Sequence, residues 1–359
     1  MPKLLKTLLR GLLGEALYFR AATKYVWGKT WFNYLCFRLP GLGRWARAWP
    51  HALYIEGTNV CNARCIFCAY AGMQRPKGVL PWEVFRSAVD QYAALGGDEV
   101  DLTGIVGEPF ADPQLFARLD YLSSLAGLRR FHFFTNAIAM DPARSLRLLD
   151  YGERLWVYVS LGGFDRETYR RVCGVDKFEA AAEHLRGLIT AKARSGSKLQ
   201  IKICLRTPKG GHRGEFWDYL LRQRDAGLVS ITWMGAYDNW GGHVTDKDLR
   251  AAGLEPRPLP VKHGPCHRLL TSPVVLSDGR VNACACRDVD ASLIIGDIGR
   301  QSLRDILSGP ALRGLVARHS RGDYPEVCQR CTYYESVLPG WWVGGPGRSD
   351  PSTPDLPEA

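Results

Sequence analysis

From residue 51 the chain alternates short runs rich in β-branched and aromatic residues with longer stretches whose apolar positions recur at helical spacing. The short runs predict strands at 52–56, 98–103, 130–135, 155–160, 199–205 and 229–234, and the longer ones predict helices such as 82–95 and 178–194. That rhythm predicts an α/β protein of parallel βα units. Six of them make a partial, TIM-like (βα)6 barrel rather than the closed eight-stranded form. In such folds the chemistry sits in loops at the carboxyl ends of the strands. Near residue 264 the pattern changes: 273–284 reads as two alternating arms about Asp278-Gly279, a hairpin signal, and 301–318 as a helix interrupted at Gly309-Pro310. The expected organisation is a basic amphipathic segment at 1–50, a partial barrel at 51–262, a small α+β domain at 263–338 and a flexible Pro/Gly/Ser-rich tail at 339–359.

A length of 359 residues suits two domains, and 46% hydrophobic with 23% charged residues is the composition of a globular protein. No uninterrupted apolar run reaches the roughly 18 residues a membrane span needs. The net charge of +11 is concentrated at the front, where residues 1–50 hold nine Lys or Arg and one acid, Glu15. The main body therefore lacks the spread basic footprint of a nucleic-acid-binding protein. Leu4, Leu5, Leu8, Leu9, Leu12 and Leu13 share one helical face opposite Lys3, Lys6 and Arg10. That face suits packing on the barrel or a peripheral contact with the inner membrane surface. Lys6, Arg10 and Glu15 interrupt this segment too early for a signal peptide. Eleven cysteines, an odd and clustered set, point to metal in a reducing, cytoplasmic compartment rather than to a disulfide framework.

The loop after the first strand reads Cys61-Asn-Ala-Arg-Cys65-Ile-Phe-Cys68 and supplies three thiolates. A structural zinc wants four ligands, whereas a cubane iron–sulfur cluster held by three leaves one iron open to a reactant. At this point the chain resembles the radical S-adenosylmethionine enzymes, whose motif has this spacing and commonly an aromatic residue before the third cysteine, here Phe67. The resemblance implies a catalytic [4Fe–4S] cluster on Cys61, Cys65 and Cys68. It also implies S-adenosylmethionine chelated to the open iron and a 5′-deoxyadenosyl radical that abstracts hydrogen. Gly107-Glu108-Pro109 resembles the loop that holds the methionine amino group, with Val106 in place of its first glycine. Ser160 and Asn136, at strand ends, resemble polar contacts to the ribose or carboxylate.

Cys266, Cys284, Cys328 and Cys331 offer a second, four-thiolate set, and by spacing alone a zinc ribbon is a serious rival. The spacing Cys266-x12-Gly279-x4-Cys284 followed by Cys328-x2-Cys331 resembles the SPASM extension and its shortened relative, the twitch domain. That implies one auxiliary [4Fe–4S] cluster, with Cys286 a spare thiol or alternative ligand. In twitch relatives that oxidise an aminocyclitol, the substrate radical loses a proton and its electron passes to the auxiliary cluster.

The expected function is therefore a radical oxidoreductase dehydrogenating a polar small molecule of amino sugar, aminocyclitol or nucleoside type, with flavodoxin or ferredoxin as electron donor. Arg206, ending the fifth strand, is the candidate group for proton removal. Cys204 is a candidate hydrogen donor for an epimerase, although a core role is the more natural reading for it and for Cys173, which the pattern leaves in a loop. Tyr237, Asp238, Asn239, Trp240 and His243 crowd the loop after the sixth strand, where a polar substrate has room to stack. His132 and His267 read as structural histidines. A radical epimerase, a peptide-modifying maturase and a zinc-stabilised binding protein are the alternatives. The 50-residue leader is short for a peptide-recognition domain.

Overall fold

The computed structural model describes residues 28, 31–32, 34–35, 52–207, 210–233 and 236–338. The amphipathic leucine face of residues 4–13 and the tail from Gly340 lie outside the described residues. Six strands appear where the pattern predicts them: β1 Leu53–Ile55, β2 Glu99–Asp101, β3 Arg130–Thr135, β4 Leu155–Leu161, β5 Gln200–Leu205 and β6 Ser230–Trp233. They pair in parallel and in order, with Tyr54 beside Asp101, Asp101 beside His132, His132 beside Trp156, and Ser160 beside Cys204. The crossover helices are α1 Trp82–Ala94, α2 Leu115–Ser124, α3 Pro142–Leu148, α4 Arg166–Cys173, α5 Phe178–Ser195 and α6 Glu215–Asp225.

Alternation along the strands sorts side chains to two faces. On β5, Ile201, Ile203 and Leu205 are buried with the apolar sides of the helices, among them Leu185, Leu188 and Leu220. Lys202 and Cys204 take the other, interior face, where Lys202 Nζ lies 4.0 Å from the Trp156 ring and Thr232 Oγ1 is 3.6 Å from Cys204 Sγ. The barrel interior is consequently polar and aromatic: Glu99, Asp101, Arg130 and His132 are all buried there. His132 Nε2 stands 3.1 Å from Asp101, and Arg130 pairs with Glu99 at 2.5 Å.

After β6 come the short pair β7 Ala236–Tyr237 and β8 Glu255–Pro256, with α7 Asp246–Ala251 between them. Then follow α8 Arg268–Thr271, β9 Val274–Val275, β10 Arg280–Asn282, β11 Ile294–Asp297, α9 Leu303–Ser308, α10 Pro310–Ser320 and α11 Glu326–Arg330. Gly309, extended at ψ 170°, separates α9 from α10 as the Gly-Pro pair predicts. The β9–β10 hairpin turns at Gly279, whose φ of +86° suits glycine. This late module does not stand apart from the barrel sheet. Strand β9 adds in parallel to β1, giving one nine-stranded sheet in the order β11-β10-β9-β1-β2-β3-β4-β5-β6. A buried bidentate pair of Arg75 with Glu56, at 2.8 Å, secures the join, and Ser277 Oγ donates to the same carboxylate at 3.1 Å. Among the described residues no helix is long and apolar enough to cross a membrane.

Candidate functional site

The loop carrying Cys61, Cys65 and Cys68 leaves β1 at the carboxyl end of the sheet and is held from three sides. Below it, Gly107 approaches so closely that a Cβ there would meet the Thr58 carbonyl oxygen at 2.3 Å, and its φ is +120°. Beside it, the Glu108 amide donates to Val60 O at 2.9 Å, and Asn136 Nδ2 donates to Asn62 Oδ1 at 2.6 Å. On the third side the end of α4 docks, with the Arg64 and Ile66 amides donating to Cys173 O and Val172 O at 3.0 and 2.9 Å.

The Glu108 side chain, 2% exposed, turns toward β3: Thr135 Oγ1 donates to it at 2.6 Å and the Asn136 amide at 2.8 Å. Burial pushes its carboxyl up to about 7 against these hydrogen bonds. Glu108 thus joins the ends of β2 and β3. Ser160 and Arg206 also come together, with Arg206 Nε donating to Ser160 Oγ at 3.3 Å and its guanidinium 5.3 Å from the Tyr237 ring. Phe67 is buried and meets Tyr237 edge to face at 5.6 Å. Cys204 faces the barrel interior between Ser160 and Thr232. Cys173 ends helix α4 rather than lying in a loop, and its thiol hydrogen-bonds that of Cys65. Sequence reading missed that neighbour because 108 positions separate the two.

The second set gathers in the late module. Burial raises the Cys266, Cys284 and Cys331 thiols to about 12 and Cys328 further, and the four act electrostatically on one another. Cys286 acts on Cys284 as well, and it also reaches outside the set: Arg268 Nη1 lies 3.6 Å from its sulfur, and its charge bears on Tyr54. In the first loop burial likewise raises Cys61 and Cys68 to about 12. Thiols this buried stay protonated alone, and a metal cluster is the partner that draws the thiolate out. Both donor sets fit iron–sulfur chemistry.

A wall of aromatic and arginine side chains joins the two sets. Arg287, its side chain 14% exposed, pairs with buried Asp238 and lies 4.7 Å from the Trp240 ring and 4.1 Å from that of Tyr333. Its charge eases the burial penalty on both Cys68 and Cys331. The loop from Asp238 to Gly242, singled out for its aromatic and polar residues, docks on the second set: the Asn239 amide donates to Thr332 Oγ1 at 2.9 Å and its Nδ2 to Arg330 O at 2.9 Å.

Residues 55–206 match the Radical SAM superfamily and residues 266–332 the SPASM iron-sulfur cluster-binding domain. Curated relatives include a GTP 3′,8-cyclase of Tolumonas auensis, 28% identical over 48% of this chain and 50% of that protein. A probable GTP 3′,8-cyclase of Saccharolobus islandicus is 31% identical over 38% of this chain and 43% of that one. The chain thus spans half or less of the length of these relatives. Among solved structures, BtrN in complex with AdoMet and 2-DOIA matches with a TM-score of 0.53 and 16% identity, over 80% of this chain and 95% of its own. SuiB of Streptococcus suis bound to precursor peptide SuiA matches with a TM-score of 0.55 and 15% identity, over 74% of this chain and 66% of its own. These two share the fold. The chain belongs to the radical SAM superfamily and carries a C-terminal SPASM iron–sulfur cluster-binding domain, which together imply [4Fe–4S] clusters and S-adenosylmethionine as cofactors.

Proposed function

We propose that this enzyme dehydrogenates a polar small molecule of amino sugar, aminocyclitol or nucleoside type, with Cys61, Cys65 and Cys68 holding the catalytic cluster and Cys266, Cys284, Cys328 and Cys331 the auxiliary one. The observation that carries this reading is a side chain shared by the two sets: Arg287, against Asp238, Trp240 and Tyr333, acts electrostatically on Cys68 of one set and Cys331 of the other. A substrate beside Arg287 adjoins both sets. When bound, the cofactors supply a 5′-deoxyadenosyl radical for hydrogen abstraction and an iron–sulfur acceptor for the second electron.

The protein's own part is to bind, orient and keep water out. Gly107, Glu108, Asn136 and Ser160 shape the S-adenosylmethionine side of the site. Phe67 and Tyr237 form an apolar, water-excluding wall. Arg206 keeps its positive charge at all working pH values, so it acts by holding the alcohol oxygen and favouring loss of its proton, not by accepting that proton. In the balanced step, the carbon loses a hydrogen atom, the hydroxyl loses a proton to solvent, one electron leaves, and a ketone remains. Cys204, inside the barrel beside Thr232, has a packing role in this reading. The architecture shared with BtrN, whose structure holds AdoMet and 2-DOIA, supports a small-molecule substrate. The names of the cyclase relatives support a nucleoside type.

The test is anaerobic reconstitution followed by reduction with dithionite or reduced flavodoxin. The wild type should release 5′-deoxyadenosine and Cys65→Ala should release none. A panel of amino sugars, aminocyclitols and nucleosides bearing deuterium at the alcohol carbon should yield a ketone with the label in deoxyadenosine. A product that regains solvent hydrogen at that carbon would overturn dehydrogenation in favour of epimerisation.

A further inference from the structure

Three guanidinium groups gather on one aromatic ring at the seam between the two cysteine sets. Arg257, Arg268 and Arg287 lie 4.9, 4.2 and 4.1 Å from the centroid of Tyr333, whose own amide donates to Cys331 Sγ at 3.3 Å. All three side chains are half-buried. Like charges brought this close repel, and more strongly as water is excluded. One carboxylate answers them directly: Asp238 pairs with Arg287. Glu335 acts on Arg268 from beyond ion-pair distance and is itself paired to His267 at 3.2 Å. Among the described residues neither Arg257 nor Arg268 has a carboxylate within 4 Å.

Hydrogen-bond donors are in surplus at the same place. Arg268 Nε and Trp240 Nε1 are buried without an acceptor. Trp240, 4.7 Å from Arg287, is held at φ +52°, a left-handed conformation that is costly for a bulky residue and persists where its surroundings enforce it. Arg268 Nη1 also lies 3.6 Å from Cys286 Sγ and the charge of Arg287 bears on Cys68 and Cys331, so it is the buried donors without acceptors beside three guanidinium groups that describe a site for an oxyanion. A phosphate monoester offers more acceptor oxygens than a single carboxylate, and planar guanidinium forks suit them.

We propose that the space bounded by Arg257, Arg268 and Arg287 around Tyr333 is an anion subsite that binds a phosphate group of the substrate. The proposal deepens the reading above and rests on it in one respect, that the substrate lies between the two cysteine sets. Phosphate in this subsite anchors the molecule at the auxiliary side of the site and leaves its reacting carbon toward the Cys61–Cys68 loop.

The test is calorimetric titration of the anaerobically reconstituted full chain with inorganic phosphate, and separately with acetate, at constant ionic strength. Phosphate should bind saturably with a Kd on the order of 0.1 mM, and acetate at least about tenfold more weakly. Arg257→Gln and Arg268→Gln should each weaken phosphate by about tenfold or more, while Arg304→Gln, exposed on α9, should leave it unchanged. Absence of phosphate saturation, acetate binding as tight as phosphate, or variants that bind as wild type would each overturn the subsite. The wild-type titration decides by itself if a variant fails to fold. Deoxyadenosine release from the same preparation keeps the two readings separate. Release without phosphate binding removes the subsite and leaves the function, and binding without release does the reverse.

Discussion

A Cβ at residue 107 has nowhere to go, since the Thr58 carbonyl oxygen would stand 2.3 Å away and the backbone is at φ +120°. Gly107→Ala should therefore lower stability by about 2 kcal/mol or more and displace the cysteine loop, read as a fall in Tm and in iron bound by the first set. Glu108 next to it has a different signature. Burial lifts its carboxyl from the ordinary 4.5 to about 7, so between those values the folded chain keeps a proton that the unfolded chain has released. Its contribution is fully present below about pH 4.5 and is lost as pH rises to about 7. Glu108→Gln should flatten the decline in apoprotein stability across that window, by on the order of 2 kcal/mol, measured as urea midpoints at pH 5 and pH 7.5.

Among the elements, the join between β1 and β9 carries the most weight. The Arg75–Glu56 pair is almost fully buried, and Arg75 Nε also donates to Val289 O at 2.7 Å. Removing one partner strands a charge that the other had neutralised. Arg75→Met should cost about 3–5 kcal/mol in urea unfolding and loosen the late module from the barrel, seen as faster amide exchange in β9 and β10. The strands themselves were legible because buried parallel strands are short apolar runs bounded by turn residues. The parallel attachment of the hairpin to β1 was not, since nothing local in Val274 and Val275 says which edge they will join. The β7–β8 pair, two residues on each side, is too short to leave a pattern.

Across the whole molecule, the two cysteine sets, 198 residues apart between Cys68 and Cys266, are linked through Arg287. Cys266, Cys284, Cys328 and Cys331 act on one another; Cys286 acts on Cys284 but also has Arg268 at its sulfur and bears on Tyr54. Cys284→Ser should reduce iron from about eight to about four per chain, and Cys286→Ser should leave it near eight, by anaerobic iron and sulfide analysis. The Cys173 thiol beside Cys65, and the three arginines on Tyr333, gave no warning in the sequence, because each residue alone reads as an ordinary core or surface position.

What the sequence by itself determined is the cofactor chemistry and the βα order, because ligand number and spacing within one loop, and the period of apolar positions, are local properties of the chain. Tertiary structure alone decided which side chains from distant segments meet. It set Glu108 against Thr135, Arg206 against Ser160, and Arg257, Arg268 and Arg287 around one phenol ring. Those juxtapositions arise from packing of distant segments, whose energy depends on shape and burial in three dimensions rather than on any neighbour in sequence.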